Sequence, residues 1–291
     1  MSTAQANGIQ IEFESLGEGE PLLLIMGLGA QLVMWPDELC QQLVARGFRV
    51  IRFDNRDIGL SSKITGGGRP PVRRMLFRTL LGRPVKAPYT LLDMADDTVG
   101  LMDFLGLRDA HVVGASMGGM IAQTMAIIHQ SRVRSLTSIM SGPGDRMTFL
   151  GKRSAVRPLL RPPPRTREAF HALWLEFFRK AGGSGYPVDE VHLRQQTSRA
   201  WERDPGPPEL ARQTAAIFAS GDRRPALRLV RAPTLVIHGG DDPLIRPAAG
   251  RATARAIPRA VLRELPGMGH YLPRALWPVL VDEIARHCHG R

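Results

Sequence analysis

Short apolar runs alternate with amphipathic stretches along most of the chain. Runs rich in Val, Ile, Leu and Phe occur at residues 9–15, 21–26, 48–53, 110–113, 133–140, 232–238 and 260–265. They are too short for helices and predict strands. The run through Thr234-Leu235-Val236-Ile237 is continuous rather than alternating, which fits a parallel strand buried on both faces. Between the runs, helices are predicted over 36–46, 72–81, 117–129 and 275–288. Another begins after Thr90, where Thr90 and Asp93 form a capping box and Leu92, Ala95, Val99, Met102 and Leu105 follow at helical spacing. Alternating strands and helices imply a parallel sheet with helices on both faces. The alternation breaks at Ser141-Gly142-Pro143-Gly144 and resumes near Arg231. In between, helical pieces at 170–178, 191–201 and 210–220 are separated by Pro162-Pro163-Pro164, Gly182-Gly183-Ser184-Gly185 and Pro205-Gly206-Pro207-Pro208. This predicts a helical cap at 143–229, inserted into an α/β core formed by 1–142 and 230–291.

The strand at 110–113 runs into Gly114-Ala115-Ser116-Met117-Gly118, a G-x-S-x-G motif between a strand and a helix. In that context the motif is a nucleophile elbow. Gly114 and Gly118 flank a turn too sharp for side chains, and Gly119 keeps the helix close to the sheet. The helix N-terminus aims N–H groups and a positive dipole end at the serine. Ser116 needs a base to take its proton. His270, in Pro266-Gly267-Met268-Gly269-His270 after the last strand, is placed to be that base. An acid should fall between serine and histidine in chain order. Asp242 and Asp241, in the loop after the 232–238 strand, and Asp145 all satisfy that order. The Met117 amide and the Leu28 amide, in Gly27-Leu28-Gly29 after the strand at 21–26, are assigned as oxyanion donors. The pocket is expected to be apolar, with Met26, Leu28, Met117 and Met140 near strand ends. Trp174, Phe177, Phe178 and Trp201 are aromatic candidates from the cap, and Gly27, Met26, Met140, Trp174 and Phe178 are the expected substrate contacts.

These motifs resemble the α/β-hydrolase superfamily, and within it the aclacinomycin methylesterase-like esterases. The closer likeness is carried by Leu22–Gly27 with Trp35-Pro36-Asp37-Glu38, by Val50–Asp57 with Gly59 and Ser61, by Val112–Gly118, and by Pro266–His270. The resemblance implies an α/β-hydrolase fold with a mostly parallel eight-stranded sheet. It implies Ser116 as nucleophile, His270 as base and Asp242 as acid, since the family's acid stands directly before proline. The expected function is carboxylic-ester hydrolysis through an acyl-enzyme, without cofactor or metal, on a small to medium apolar ester, methyl esters and lactones included. Alternatives on the same triad are cofactor-free C–C bond hydrolysis, perhydrolysis, amide cleavage, or a ligand-binding sensor with little turnover. Residues 66–87 and 145–228 match no pattern of the family and are where substrate choice should lie.

Composition adds limits. The chain has 291 residues with 43% hydrophobic, enough for one large core. Its formal charge is +12, from 39 basic and 27 acidic residues. Only four of the basic residues are lysines, and no nucleic-acid-binding pattern accompanies them, so nucleic acid is not an expected partner. Two clusters stand out: Arg69, Arg73, Arg74, Arg78 and Arg83, and Lys152, Arg153, Arg157, Arg161, Arg165 and Arg167. Either could steer anionic substrates or touch a membrane surface; the preferred reading of both is solvated loop and helix faces. No apolar run is long enough to span a membrane, and the N-terminal stretch has no signal-peptide pattern. With Cys40 and Cys288 as the only cysteines, a reduced, cytoplasmic protein is expected. The expected partner is a small-molecule ester, with no membrane, and a homodimer is compatible with the sequence. His238 is read as a buried core histidine, and His287-Cys288-His289 as a frayed C-terminus.

Overall fold

The computed structural model describes residues 2–65, 70–145, 151–161, 164–205 and 210–290. Arg69, Pro162, Pro163 and residues 206–208 lie outside them. The strands are β1 (Ser2–Ala6), β2 (Ile9–Leu16), β3 (Glu20–Ile25), β4 (Phe48–Phe53), β5 (Ala110–Ala115), β6 (Val133–Ile139), β7 (Thr234–Gly239) and β8 (Val261–Leu265). They form one eight-stranded sheet in the order β1-β2-β4-β3-β5-β6-β7-β8. Pairing is antiparallel at β1/β2 and β2/β4 and parallel from β4 to β8.

Period-two alternation divides the core. Leu22 and Leu24 face one side of the sheet with Val113, Leu235 and Ile237, while Leu23 and Ile25 face the other with Ile51 and Val112. Helices α1 (Asp37–Val44) and α11 (Trp277–Cys288) cover the first side. Helices α3 (Leu91–Phe104) and α4 (Met117–Ile128) cover the second. Leu22 to Ile25 are fully buried, at about 1.5–3 kcal/mol for each such side chain. The capping box at Thr90 forms, the Asp93 carboxylate accepting from the Thr90 amide at 2.8 Å.

Helix α2 is Val72–Leu80. Between β6 and β7 come α5 (Arg153–Val156), α6 (Arg167–Ala181), α7 (Glu190–Arg203), α8 (Leu210–Ser220) and α9 (Arg224–Leu227). Two buried ion pairs tie this helical segment to the loop after β4. Arg203 binds Asp54 at 2.9 Å, and Arg212 binds Asp57 at 2.9 Å.

Three features depart from the pattern read in the sequence. β1 was not predicted, because Ser2–Ala6 is polar and buries only Ala4 and Ala6; it is recruited by a hairpin through Asn7 and Gly8, both at positive φ. Helix α10 (Pro247–Ala256) was also not predicted: it is rich in alanine and arginine rather than large apolar residues. The C-terminus is not frayed. His287 Nε2 donates to the Leu136 carbonyl and the His289 ring stacks on Phe48 with centroids 5.0 Å apart.

Candidate active site

β5 delivers Ser116 into a turn that ordinary residues avoid. Ser116 has φ 56° and ψ −119°, a conformation that costs on the order of 1–3 kcal/mol and is held by its surroundings. Those surroundings require glycine. A Cβ on Gly114 would strike the Gly118 carbonyl, one on Gly118 the Ile25 carbonyl, and one on Gly119 the Ser141 side chain. The predicted role of Gly119 is therefore specific: it lets α4 pass the start of the segment after β6. On the other side, a Cβ on Gly27 would sit 3.1 Å from the Ser116 Cβ, so the loop after β3 lies against the serine.

The loops after β7 and β8 supply the partners. His270 Nδ1 lies 2.7 Å from Asp242 Oδ2, and His270 Nε2 lies 2.9 Å from Ser116 Oγ. An ionised carboxylate can only accept, so Nδ1 carries the proton and donates it to Asp242. Nε2 is left bare and accepts from the Ser116 hydroxyl. Asp242 is buried, and its Oδ1 accepts from the backbone amides of Leu244 (2.8 Å) and Ile245 (2.9 Å). Those two donors hold the carboxylate without competing for Oδ2. Asp241 turns away to accept from the Ser184 hydroxyl, and Asp145 is buried in the cavity wall. Of the three candidate acids, Asp242 is the one in hydrogen-bond contact with His270.

His238 sits behind this group on β7. Its Nε2 donates to the Ile245 carbonyl at 2.8 Å and lies 3.6 Å from Asp242 Oδ2. Burial pushes its pKa below the usual histidine range, in keeping with a neutral ring. The structure thus agrees with its reading as a core histidine. The cysteines are poor candidates for chemistry: burial pushes the Cys40 thiol up to about 12 and the Cys288 thiol up to about 11.

The His270 loop is held by backbone. Its amide donates to the Ala181 carbonyl, and Gly269 N donates to the Gly182 carbonyl at 2.9 Å. Gly185 N donates to the Gly267 carbonyl at 2.9 Å. The glycine run at 182–185 reads in the sequence as a break between helices. In the fold it permits direct contact with the histidine loop, since Cβ atoms on Gly183 or Gly269 would collide with the opposite backbone.

Two residues without an assigned role in the sequence hold the loop after β3. Asn55 Nδ2 donates to the Met26 carbonyl at 2.9 Å. Gln213, fully buried on α8, accepts from the Gly29 amide at 2.9 Å and donates to the Arg56 carbonyl at 3.0 Å. A glutamine on a helix face otherwise built from Ala211, Ala215, Ala216 and Phe218 was the available signal.

A cavity of about 1400 Å³ opens above Ser116. Met26, Gly27, Leu28, Met117, Met140, Trp174, Phe177 and Phe178 line it, so each expected substrate contact is in the wall. Trp201 is not: on α7, it packs on Phe170 of α6 at 5.7 Å, in a cluster with Leu32 and Val33. Phe177 meets the His270 ring edge-on at 6.4 Å, and Trp174 stacks on Phe178 at 5.5 Å. His192, on α7, also lines the cavity and packs edge-on to Trp277.

A family model for the alpha/beta hydrolase fold matches residues 20–273. The chain belongs to this family. Rhodomycin D methylesterase DnrP of Streptomyces peucetius is 28% identical over 310 residues, across 99% of this chain and 98% of its own. Among solved structures, the enol-lactonase of Burkholderia xenovorans LB400 has a TM-score of 0.72 at 24% identity, over 99% of this chain and 100% of its own. A meta-cleavage product hydrolase of Pseudomonas fluorescens IP01 has a TM-score of 0.73 at 19% identity, over 100% of this chain and 98% of its own. These two structural likenesses establish the fold; the reactions named are those of the relatives. As in alpha/beta hydrolases generally, the serine, aspartate and histidine here follow the carboxyl ends of parallel strands, where an open sheet leaves room for a ligand. No helix among the described residues is long and apolar enough to cross a membrane.

Proposed function

We propose that this alpha/beta hydrolase is a serine carboxylesterase. The observation that carries the reading is the continuous Ser116–His270–Asp242 hydrogen-bonded chain at the floor of an apolar cavity. Ser116 Oγ attacks the ester carbonyl while His270 Nε2 takes its proton, and Asp242 stabilises the imidazolium that forms. The backbone amides of Leu28 and Met117 receive the developing oxyanion. His270 then returns the proton to the leaving alkoxide, which departs as the alcohol. In the second half, His270 takes a proton from water as it attacks the acyl-enzyme, and Ser116 leaves with that proton.

The likeness to a methylesterase across nearly the whole chain supports an ester, and among esters a methyl ester. The cavity supports a bulky acid part, since about 1400 Å³ is more than a small ester fills. The helical segment between β6 and β7 serves as the cap, contributing Trp174, Phe177 and Phe178 to the wall. A reduced, cytoplasmic setting goes with this reading.

The test is hydrolysis of 4-nitrophenyl esters from acetate to decanoate by wild type and Ser116→Ala, with fluorophosphonate labelling followed by peptide mass spectrometry. Turnover lost in Ser116→Ala and a label on Ser116 are expected. Full activity in Ser116→Ala would sink the proposal, and a single burst without turnover would favour a sensor.

A further inference from the structure

The cavity is as uneven in charge as in polarity. Among the described residues its wall holds six arginines, Arg73, Arg74, Arg153, Arg157, Arg161 and Arg274, against two carboxylates, Asp145 and Asp189. No lysine or glutamate joins them. Five of the six come from the two basic clusters that the sequence presents as separate solvated faces. The fold brings α2 and α5, some 80 residues apart, to one cavity, so that Arg73 and Arg74 of one cluster and Arg153, Arg157 and Arg161 of the other line the space it shares with Ser116.

Partners divide these arginines. Arg161 is paired with Glu176, and the Arg274 guanidinium lies 5.7 Å over the Trp277 ring. Arg73, Arg74, Arg153 and Arg157 have no acidic partner among the described residues, and all four are exposed. Asp189 is not paired with them: its side chain accepts from the His192 amide and caps α7, and six guanidiniums still outnumber the two carboxylates of the wall. Asp145 is buried. A guanidinium stays charged at any working pH and presents a fork of donors suited to carboxylate or phosphate oxygens. The cavity is therefore apolar around the serine and cationic at its rim.

We infer that the substrates are amphipathic esters with an oxyanion, carboxylate or phosphate, on the part remote from the scissile bond, bound at the rim by Arg73, Arg74, Arg153 and Arg157. The inference rests on Ser116 being the nucleophile of an esterase. The apolar body fills the wall formed by Met26, Met140, Trp174 and Phe178, and the anion meets the rim. A neutral ester of the same size satisfies only the wall.

Mono-4-nitrophenyl adipate and 4-nitrophenyl hexanoate have acyl chains of equal length that end in a carboxylate and a methyl group. At low salt the wild-type ratio of kcat/KM, anion over neutral, is expected to be about 10, expressed in KM. It should fall toward 1 in about 0.5 M NaCl as screening shortens the reach of the rim charges. Replacing the four arginines by glutamine should bring the low-salt ratio to about 1. The ratio compares two substrates on one preparation, so partial loss of folded protein cancels. A wild-type ratio of 1 or less, or one unmoved by the four substitutions, overturns the inference. Titration calorimetry of octanoate, octyl phosphate and octan-1-ol on Ser116→Ala is independent of turnover. Tighter binding of either anion, lost with the four arginines, supports the rim site and assigns its oxyanion. Equal binding of all three overturns it. Anion-selective binding in a protein that hydrolyses neither ester would leave the rim site standing and remove the esterase reading alone.

Discussion

Asp242→Asn puts the proposed mechanism under the sharpest test, because the structure dictates how the new side chain must sit. Oδ1 of Asp242 accepts from the amides of Leu244 at 2.8 Å and Ile245 at 2.9 Å. In asparagine only the carbonyl oxygen can accept, so it takes that place. The NH₂ group then falls where Oδ2 was, 2.7 Å from His270 Nδ1. Two donors cannot face one another, so Nδ1 gives up its proton to become the acceptor. The imidazole proton moves to Nε2, which lies 2.9 Å from Ser116 Oγ and now points a hydrogen at it. The base is lost while size and packing are kept. The corresponding exchange in a triad of this arrangement costs about 10⁴-fold in kcat, or about 5.4 kcal/mol at 1.36 kcal/mol per decade. Because Asp242 is not part of the cavity wall, KM should stay within about three-fold. The assay is kcat and KM for 4-nitrophenyl butyrate between pH 6 and 9, with folding checked by circular dichroism. A kcat within ten-fold of wild type would refute the tautomer reasoning. A larger loss in Asp145→Asn or Asp241→Asn would give the role to another acid.

Gly118→Ala drives a methyl group into the Ile25 carbonyl at the junction of the elbow and the loop after β3. It should cost at least about 2 kcal/mol in guanidinium unfolding and lower kcat in the protein that still folds; a loss below about 0.5 kcal/mol would contradict the close approach. Arg56→Ala leaves the Asp97 carboxylate, 3% exposed, without the guanidinium that binds it at 2.6 Å. Breaking such a pair costs about 3–5 kcal/mol, and a urea-derived change under 1 kcal/mol would show that the pair is not held as described. His238, held below its ordinary value of 6.5 by burial, makes stability depend on pH. As pH falls below about 6.5 the unfolded imidazole takes up a proton before the folded one, so stability is lost from there down to the lower folded value. His238→Gln should flatten the dependence of the unfolding free energy on pH below about 6.5, by at most about 1.4 kcal/mol per pH unit; an unchanged slope would exclude His238 as a contributor.

How much of this was legible depends on the range of each interaction. Strand β5, the sharp turn and α4 are contiguous in sequence, and glycine at positions 114, 118 and 119 marks the turn because no side chain fits there. The positions of Leu28 and His270 beside Ser116 were also readable, since both stand in glycine-containing loops directly after apolar strands. β1 was hidden because its place depends on pairing with β2 rather than on its own apolar content. The last histidines were hidden because their partners, Phe48 and Leu136, are far upstream.

The chain by itself determined the alternation of strand and helix, the elbow, and the types of residue available for acid, base and nucleophile. Each follows from local sterics and periodicity, which act over a few residues. The residues alone left Asp241, Asp242 and Asp145 open and the resemblance favoured Asp242; tertiary structure shows the contact itself, because Asp241 and Asp242 are adjacent and differ in the direction their side chains leave the loop. It also decided that Gln213 holds the Gly29 amide and that the glycines at 182–185 seat the histidine loop. The rim arginines are the clearest case. A charge run in the sequence has no address until the helices carrying it are packed, and only then do Arg73 and Arg153 share a wall with Ser116.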